Sequence, residues 1–307
     1  MQKLQPLQSL VENDLTLFQR PYFASMAEIT GGISSDKKYQ VETLDYFDDY
    51  IISGIVGGAK PSTYSASPAL WHPYFNNIGI RGAYLCFDLA TEETFGKFID
   101  AVIGTQRFLD LSITAPYKHL AYKMLPKSGR NFEFSEEAIF LGAVNHIIID
   151  EKNDLIHGIN TDGIGMVSAI QRNQKIAGKK LLLIGAGGAA NAIAMECHKE
   201  KVELHIANRT VEKAKHFSDS LNYNASELPE VTHSDLDNLE KLLQQSEIVI
   251  CAVSEGAGLT PAQFELIPKS ALCIDVRYGE SAAFYHLGKK HNLNAMDGRR
   301  MLFGQFE

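Results

Sequence analysis

The stretch Thr114-Ala115-Pro116-Tyr117-Lys118 follows an apolar run and sets a lysine in the first turn of a helix, with Pro116 at that helix's first position. A cation is disfavoured there, because the unpaired N–H groups of the turn carry the positive end of the helix dipole. That field, with partial burial, lowers a lysine's pKa, and a lysine tuned this way exchanges protons near neutral pH. The plainer alternative is an exposed helix lysine. A second ionisable group, Asp162 in Asn160-Thr161-Asp162-Gly163, ends a strand and opens a helix. It suits a helix cap, and it equally suits a carboxylate that holds Lys118 and bonds a substrate hydroxyl. Upstream, Ser65-Ala66-Ser67-Pro68 brings two hydroxyls to a helix entrance, where they either bind a carboxylate or cap the helix. Asn145, in Gly142-Ala143-Val144-Asn145, offers another polar contact from a strand interior.

The second half carries a different chemistry. Leu181-Leu182-Leu183-Ile184 is an apolar strand that runs into Gly185-Ala186-Gly187-Gly188-Ala189-Ala190 and then a helix. In this Gly-x-Gly-x-x-Ala pattern Gly185 permits a tight turn, Gly187 lets the backbone approach a pyrophosphate, and Ala190 lets helix pack on strand. A structural glycine turn is the alternative. The next strand ends Asn208-Arg209-Thr210, with Lys213 following. An acidic residue there would accept from a ribose 2′-hydroxyl and repel a 2′-phosphate. Arg209, a hydroxyl and Lys213 match a phosphate dianion instead, so the expected cofactor is NADP rather than NAD.

These groups need elements to position them. Strands are expected at 50–56, 83–89, 108–114, 143–149 and 155–159, and helices at 68–77, 91–102 and 162–171. A second unit starts near Lys179, with strands at 181–184, 202–207, 247–252 and 272–276 and helices at 187–200 and 210–221. This alternation favours a parallel, doubly wound sheet. The expected fold is α/β with two domains: an N-terminal α/β substrate domain, and a Rossmann-type dinucleotide-binding domain, with a cleft between them. The expected boundaries are 49–160 plus 298–307 for the first and 161–297 for the second. Residues 1–48 form an extension of unassigned role.

The 307 residues bear a net charge of −8, so no basic footprint for nucleic acid is present. The four cysteines, Cys86, Cys197, Cys251 and Cys273, lack metal or redox spacing and read as reduced, buried thiols. No metal site is expected. The N-terminus lacks an apolar core of signal-peptide length, and the apolar stretch 181–197 is broken by glycines. The expectation is a cytoplasmic protein with no membrane partner.

Taken in order, these motifs resemble the shikimate dehydrogenase family over residues 51–307. Asp275-Val276-Arg277-Tyr278 and Gly298-Arg299-Arg300-Met301-Leu302-Phe303-Gly304-Gln305 complete the series. The resemblance implies NADP-dependent reduction of 3-dehydroshikimate to shikimate, with Lys118 as proton acceptor and donor. Ser65 and Ser67 would bind the carboxylate of a hydroxylated ring acid. Thr114, Asn145, Asp162, Tyr278 and Gln305 would contact carboxylate or ring hydroxyls. Gly185, Ala186, Gly187, Gly188, Ala189, Asn208, Arg209, Thr210 and Lys213 would hold NADP, with Val276 and Gly298 at the nicotinamide end. A homodimer is compatible with this reading.

The sequence departs from the family pattern at several places. Ser112 stands where an Asn is expected, two residues before Thr114; Pro73 replaces an Asn; Cys251-Ala252-Val253-Ser254 stands for Asn-Ala-Thr-Pro at the nicotinamide rim. Arg300 replaces a Gly, and Gly279-Glu280 replaces a turn with Pro. The sequence ends at Glu307 without the expected closing helix, and residues 1–48 are expected to cover the surface that helix would shield. These departures leave two alternatives: a paralogue acting on quinate, aminoshikimate or a similar ring acid, and a weakly active nucleotide-binding regulator.

Overall fold

The computed structural model describes residues 51–77, 82–104, 108–224, 227–253 and 258–306. The extension 1–48, Ser254 and Glu307 lie outside the described residues. The chain divides into two compact units, the first ending at Asn160 and the second beginning at Thr161.

The first unit is built on strands β1 (Ile51–Gly57), β2 (Gly82–Asp88), β3 (Phe108–Ile113), β4 (Asn131–Phe134), β5 (His146–Asp150) and β6 (Leu155–Ile159). They form one sheet in the order β2-β1-β3-β5-β6-β4. Strands β1, β2 and β3 are parallel, whereas β5 is antiparallel to both β3 and β6. The first sheet is therefore mixed. Strands β5 and β6 are antiparallel neighbours because the link Glu151–Asp154 is a polar turn far too short for the crossover that parallel neighbours need. The Asn153 side-chain amide donates to Asp150 at 2.7 Å and ties that turn.

Helix α1 (Ser67–Asn77) and helix α2 (Glu92–Ile103) follow β1 and β2. Helix α2 shows why these residues are helical. Thr91 and Thr94 make a reciprocal capping box, Glu92 and Glu93 sit in the first turn, and Phe95, Phe98, Ile99, Val102 and Ile103 line one buried stripe. Each such side chain removed from water contributes roughly 1.5–3 kcal/mol. Helix α3 (Lys118–Met124) follows β3, and helix α4 (Glu136–Leu141) follows β4. Pro116 does not open α3: it lies in the turn Thr114–Tyr117, where the Tyr117 N–H donates to the Thr114 carbonyl, and the helix starts at Lys118.

The second unit opens with helix α5 (Asp162–Gln171) and continues through β7 (Lys180–Ile184), α6 (Gly188–Lys199), β8 (Glu203–Ala207), α7 (Val211–Asn224), β9 (Thr232–Ser234), α8 (Leu239–Gln245), β10 (Ile248–Cys251), α9 (Pro261–Leu266), β11 (Leu272–Asp275), α10 (Ala283–Lys290), β12 (Asn294–Met296) and α11 (Arg299–Phe306). Its sheet is parallel throughout, in the order β9-β8-β7-β10-β11-β12. That is the doubly wound order, whose direction reverses between β7 and β10 and opens a crevice at the carboxyl ends of those strands. Residues 298–306, which the sequence reading attached to the substrate domain, fall in this unit, where α11 packs on α5. The crossing is close: a Cβ at Gly304 would stand 2.4 Å from the Gly165 carbonyl oxygen. Among the described residues no helix is long and apolar enough to cross a membrane.

Candidate active site

In the first unit, Ser65, Ser67, Thr114, Lys118 and Asn145 are held at the carboxyl ends of β1 and β3 and at the approach to β5. The Ser65 hydroxyl accepts from the Ser67 N–H at 3.2 Å, so Ser65 caps α1 and keeps its own O–H to give. Ser67 is buried at the first position of α1. The Thr114 N–H donates to the Val56 carbonyl at 2.9 Å, and the Thr114 hydroxyl bonds the Tyr64 phenol. The half-buried Lys118 begins α3, and its carbonyl accepts from Val144 N–H at 2.9 Å. Asn145 sits one residue ahead of β5 rather than inside a strand. Its N–H donates to Ile159 at 3.0 Å and its carbonyl accepts from Ile113 at 2.7 Å, so it bridges the two flanking strands. The Asn160 amide donates to the Ala143 carbonyl at 3.0 Å and braces the same segment. Tyr64 is a neighbour of this cluster that the sequence reading did not single out. Its phenol is pushed up from its ordinary pKa, first by burial, against the lowering effect of Thr114.

In the second unit, Asp162 is the first residue of α5 and is buried. The Gln305 amide on α11 donates to Asp162 Oδ1 at 2.8 Å. The crossing of α5 and α11 therefore brings together two of the expected site residues. Tyr278 precedes a short 3-10 turn, Gly279–Ser281, and its carbonyl accepts from the Ser281 hydroxyl at 2.9 Å.

The glycine loop lies at the reversal point of the sheet. Gly185 has φ +121°, and a Cβ there would stand 2.9 Å from the Ala252 carbonyl oxygen. A side chain is excluded both by conformation and by the end of β10. Gly187 and Gly188 differ: they are exposed, and a Cβ at either meets nothing within 4 Å. Ala186 and Ala189 are half-buried between them and the core. The first N–H groups of α6 thus open on free space, and Gly187, its cap residue, supplies no side-chain acceptor for them. Such an end attracts anions. Asn208, Arg209 and Thr210 follow β8, the Asn208 amide donates to the Thr210 carbonyl at 2.8 Å, and Arg209 and Lys213 are exposed. Val276 and Gly298 meet backbone to backbone, since a Cβ at Gly298 would fall 2.1 Å from the Val276 carbonyl. Cys251 is buried at the end of β10. Among the described residues no cluster of His, Cys, Asp or Glu could hold a metal ion.

Comparison with known proteins agrees with this layout. Residues 58–147 match the shikimate dehydrogenase substrate binding domain, and residues 168–276 match the shikimate / quinate 5-dehydrogenase family. The shikimate dehydrogenase (NADP(+)) of Pyrococcus abyssi is 34% identical over 223 residues, which is 72% of this chain and 74% of that protein. The chain belongs to the shikimate dehydrogenase family. The Thermococcus kodakarensis family member, also a shikimate dehydrogenase (NADP(+)), is 31% identical over 232 residues, 73% of this chain and 76% of its own. A crystal structure of a shikimate dehydrogenase in complex with NADP+ superposes with a TM-score of 0.71 at 28% identity, covering 84% of this chain and 88% of the other. The family fold is two-domain α/β, a substrate-binding domain with a Rossmann-type domain, and each of the two units takes its expected part in it.

Proposed function

We propose that this chain is an oxidoreductase that interconverts 3-dehydroshikimate and shikimate with NADP. The observation that carries the reading is the open glycine turn at the reversal point of the second sheet, with Arg209 at the end of the adjoining strand. The site fits the cofactor: the α6 end is free to receive a pyrophosphate, and the residues after β8 supply a cation for a 2′-phosphate. When bound, NADP supplies a hydride acceptor, or as NADPH a hydride donor.

The chain's own residues handle position and protons. Ala186, Gly187, Gly188 and Ala189 would present backbone N–H groups to the pyrophosphate, and Gly185, whose own N–H donates to the Ala207 carbonyl at 2.8 Å, would make the turn that brings them there. Asn208, Arg209, Thr210 and Lys213 bind the ribose phosphate, and Val276 and Gly298 form the floor at the nicotinamide end. Ser65 gives a hydrogen bond to the ring carboxylate, with Ser67 beside it. Thr114, Asn145, Asp162, Tyr278 and Gln305 bind carboxylate or ring hydroxyls and so fix which carbon reacts. Lys118 Nζ takes the hydroxyl proton in oxidation and returns it in reduction.

The test is turnover of the purified protein with NADP or NAD and a panel of ring acids, followed at the NADPH absorbance. Shikimate with NADP is the expected active pair, and cofactor binding without turnover of any acid would defeat the enzyme reading. Lys118→Ala is expected to cut kcat far more than it weakens NADP binding; equal losses would make the lysine structural. Ser112 favours a second reading, turnover of quinate or another hydroxylated ring acid, because its hydroxyl is engaged within the protein instead of being free to meet a ring hydroxyl.

A further inference from the structure

Beneath the serine pair lies a buried hydrogen-bond chain made from four strands of the first sheet. The Ser67 hydroxyl bonds the Tyr84 phenol. That phenol donates to Ser112 Oγ at 2.9 Å. Ser112 Oγ lies 3.1 Å from His146 Nδ1. On the far side of the imidazole, Nε2 lies 3.7 Å from Asp110 Oδ1. The other carboxylate oxygen accepts from the Ser53 hydroxyl at 3.0 Å. The register explains the alignment: Ser53 pairs with both Tyr84 and Asp110, and Ser112 pairs with His146, so all five side chains share one face of the sheet. Tyr84 is fixed from the helix side by Trp71, stacked at 5.4 Å, and its N–H donates to His72 Nε2. Asp110 Oδ1 is buried and, among the described residues, makes no hydrogen bond. A buried carboxylate oxygen without a hydrogen bond is costly while ionised, and protonation of the carboxyl relieves that cost.

Each hydroxyl in the chain owns one proton, so the chain has two directions. In one, Ser67 donates to Tyr84, Tyr84 to Ser112 and Ser112 to Nδ1, and Nε2–H faces an ionised Asp110. The Ser67 proton is then spent inside the protein, and Ser67 offers a ligand only lone pairs. In the other, Asp110 has taken one proton from solvent and, with the 3.7 Å gap closed to hydrogen-bond distance, donates to Nε2. Nδ1–H then donates to Ser112, Ser112 to Tyr84 and Tyr84 to Ser67, which frees the Ser67 proton for a ligand carboxylate.

We propose that Asp110 and His146 are positioning residues for the carboxylate subsite, acting through Ser112 and Tyr84 to decide whether Ser67 donates to a bound ring acid. This rests on the reading of Ser67 as a carboxylate contact. Burial raises the Asp110 carboxyl to about 7, against the lowering effect of Ser53. Burial pushes the His146 imidazole down to about 4. The exchangeable proton therefore belongs to the carboxyl, and the donating direction holds below about pH 7. The other titratable groups nearby are Tyr84, pushed far up by burial, Cys86, pushed up to about 12, and His72, lowered by burial. None of these changes charge between pH 7 and 9, where the ring carboxylate also stays ionised.

The experiment is calorimetric titration of the full chain with shikimate from about pH 6 to about pH 9, in wild type and three variants. Wild type is expected to weaken by about tenfold or more as Asp110 ionises, the loss of one charge-assisted donor. Asp110→Asn keeps the shape and presents a permanent donor to Nε2, so its affinity is expected to stay high and flat across that range. His146→Leu cuts the chain and is expected to remove the pH step. In wild type without ligand, the ¹⁵N shifts of His146 should exchange between the Nε2–H and Nδ1–H tautomers across the same range. A flat wild-type profile, or a His146 tautomer that does not change, overturns the proposal. Ser67→Ala separates the two readings: if it leaves shikimate affinity unchanged, the carboxylate assignment of Ser67 is what fails.

Discussion

The glycine loop allows stability and cofactor binding to be separated by two substitutions two residues apart. Gly185→Ala puts a methyl into a backbone with φ +121°, 2.9 Å from the Ala252 carbonyl oxygen and 3.0 Å from Val253 Cγ1. The backbone strain costs about 1–3 kcal/mol and the overpacking about as much again, so the expected loss of stability is about 2–6 kcal/mol. For a unit of this size that lowers the melting temperature by on the order of 5–15 °C. Gly187→Ala is the opposite case. Its φ is −93° and its Cβ meets nothing, so an alanine fits without strain and stability is expected to hold or rise by about 0.4–1 kcal/mol. In the proposed site the same methyl stands where a pyrophosphate would approach, and losing one or more charge-assisted bonds is expected to weaken NADP by roughly 10- to 100-fold. The assays are thermal unfolding by circular dichroism without cofactor, and NADP titration by quenching or calorimetry. A Gly187→Ala protein that binds NADP like wild type would refute the placement of the pyrophosphate. A Gly185→Ala protein that melts like wild type would refute the strain argument.

Arg209→Asp is expected to weaken NADP much more than NAD, measured as the ratio of the two dissociation constants; an unchanged ratio would remove the 2′-phosphate role. Gln305→Ala takes a donor from the buried Asp162 and is expected to cost about 1.5–3 kcal/mol of unfolding stability, read by denaturant titration. Gln305→Glu, which adds a like charge, should cost more, and wild-type stability in both would show that the bond does not hold α11 on α5. Burial pushes the thiols of Cys86, Cys251 and Cys273 up to about 12 and raises that of Cys197 as well. Thiolates are therefore scarce at neutral pH, and a disulfide reagent at pH 8 should label the four cysteines far faster after denaturation than before. Equal rates in the two states would contradict that burial.

Much of the fold was legible because local signals and burial agree. The apolar run Leu181–Ile184, the glycine turn and the following helix form one local motif, and the Thr91 cap with its apolar stripe is complete within a dozen residues. The elements that escaped notice are short, even where a cap marks them, as Thr260 and Gln263 do at α9. Strand β4 is a short sheet edge whose first three residues are exposed, and β9 has only three residues, so neither has the alternation that marks a half-buried strand. Helices α8 and α9 are one to two turns long and depend on tertiary packing. The site residues were legible in the same unequal way. Lys118 and Asp162 stand at helix starts that sequence can mark, whereas the pairing of Ser112 with His146 depends on the antiparallel register of β3 and β5.

That register bears on the departures from the family pattern. Cys251 is core in β10, where its carbonyl accepts from Val276 N–H at 3.0 Å, a main-chain contact that does not depend on the side chain. Ser112 is different, because its hydroxyl joins two titratable strands. An Asn there would bring a carbonyl and two N–H donors to a point where Tyr84 offers one hydroxyl and His146 one nitrogen. A serine, with one proton and two lone pairs, is the smaller group that can both receive from one neighbour and give to the other, in either direction. Under the proposed reading, the serine that withdraws a contact from the ring links Tyr84 to His146, whose Nε2 stands 3.7 Å from Asp110 Oδ1. Substrate choice in this chain is accordingly expected to be governed from beneath the pocket as well as from its walls.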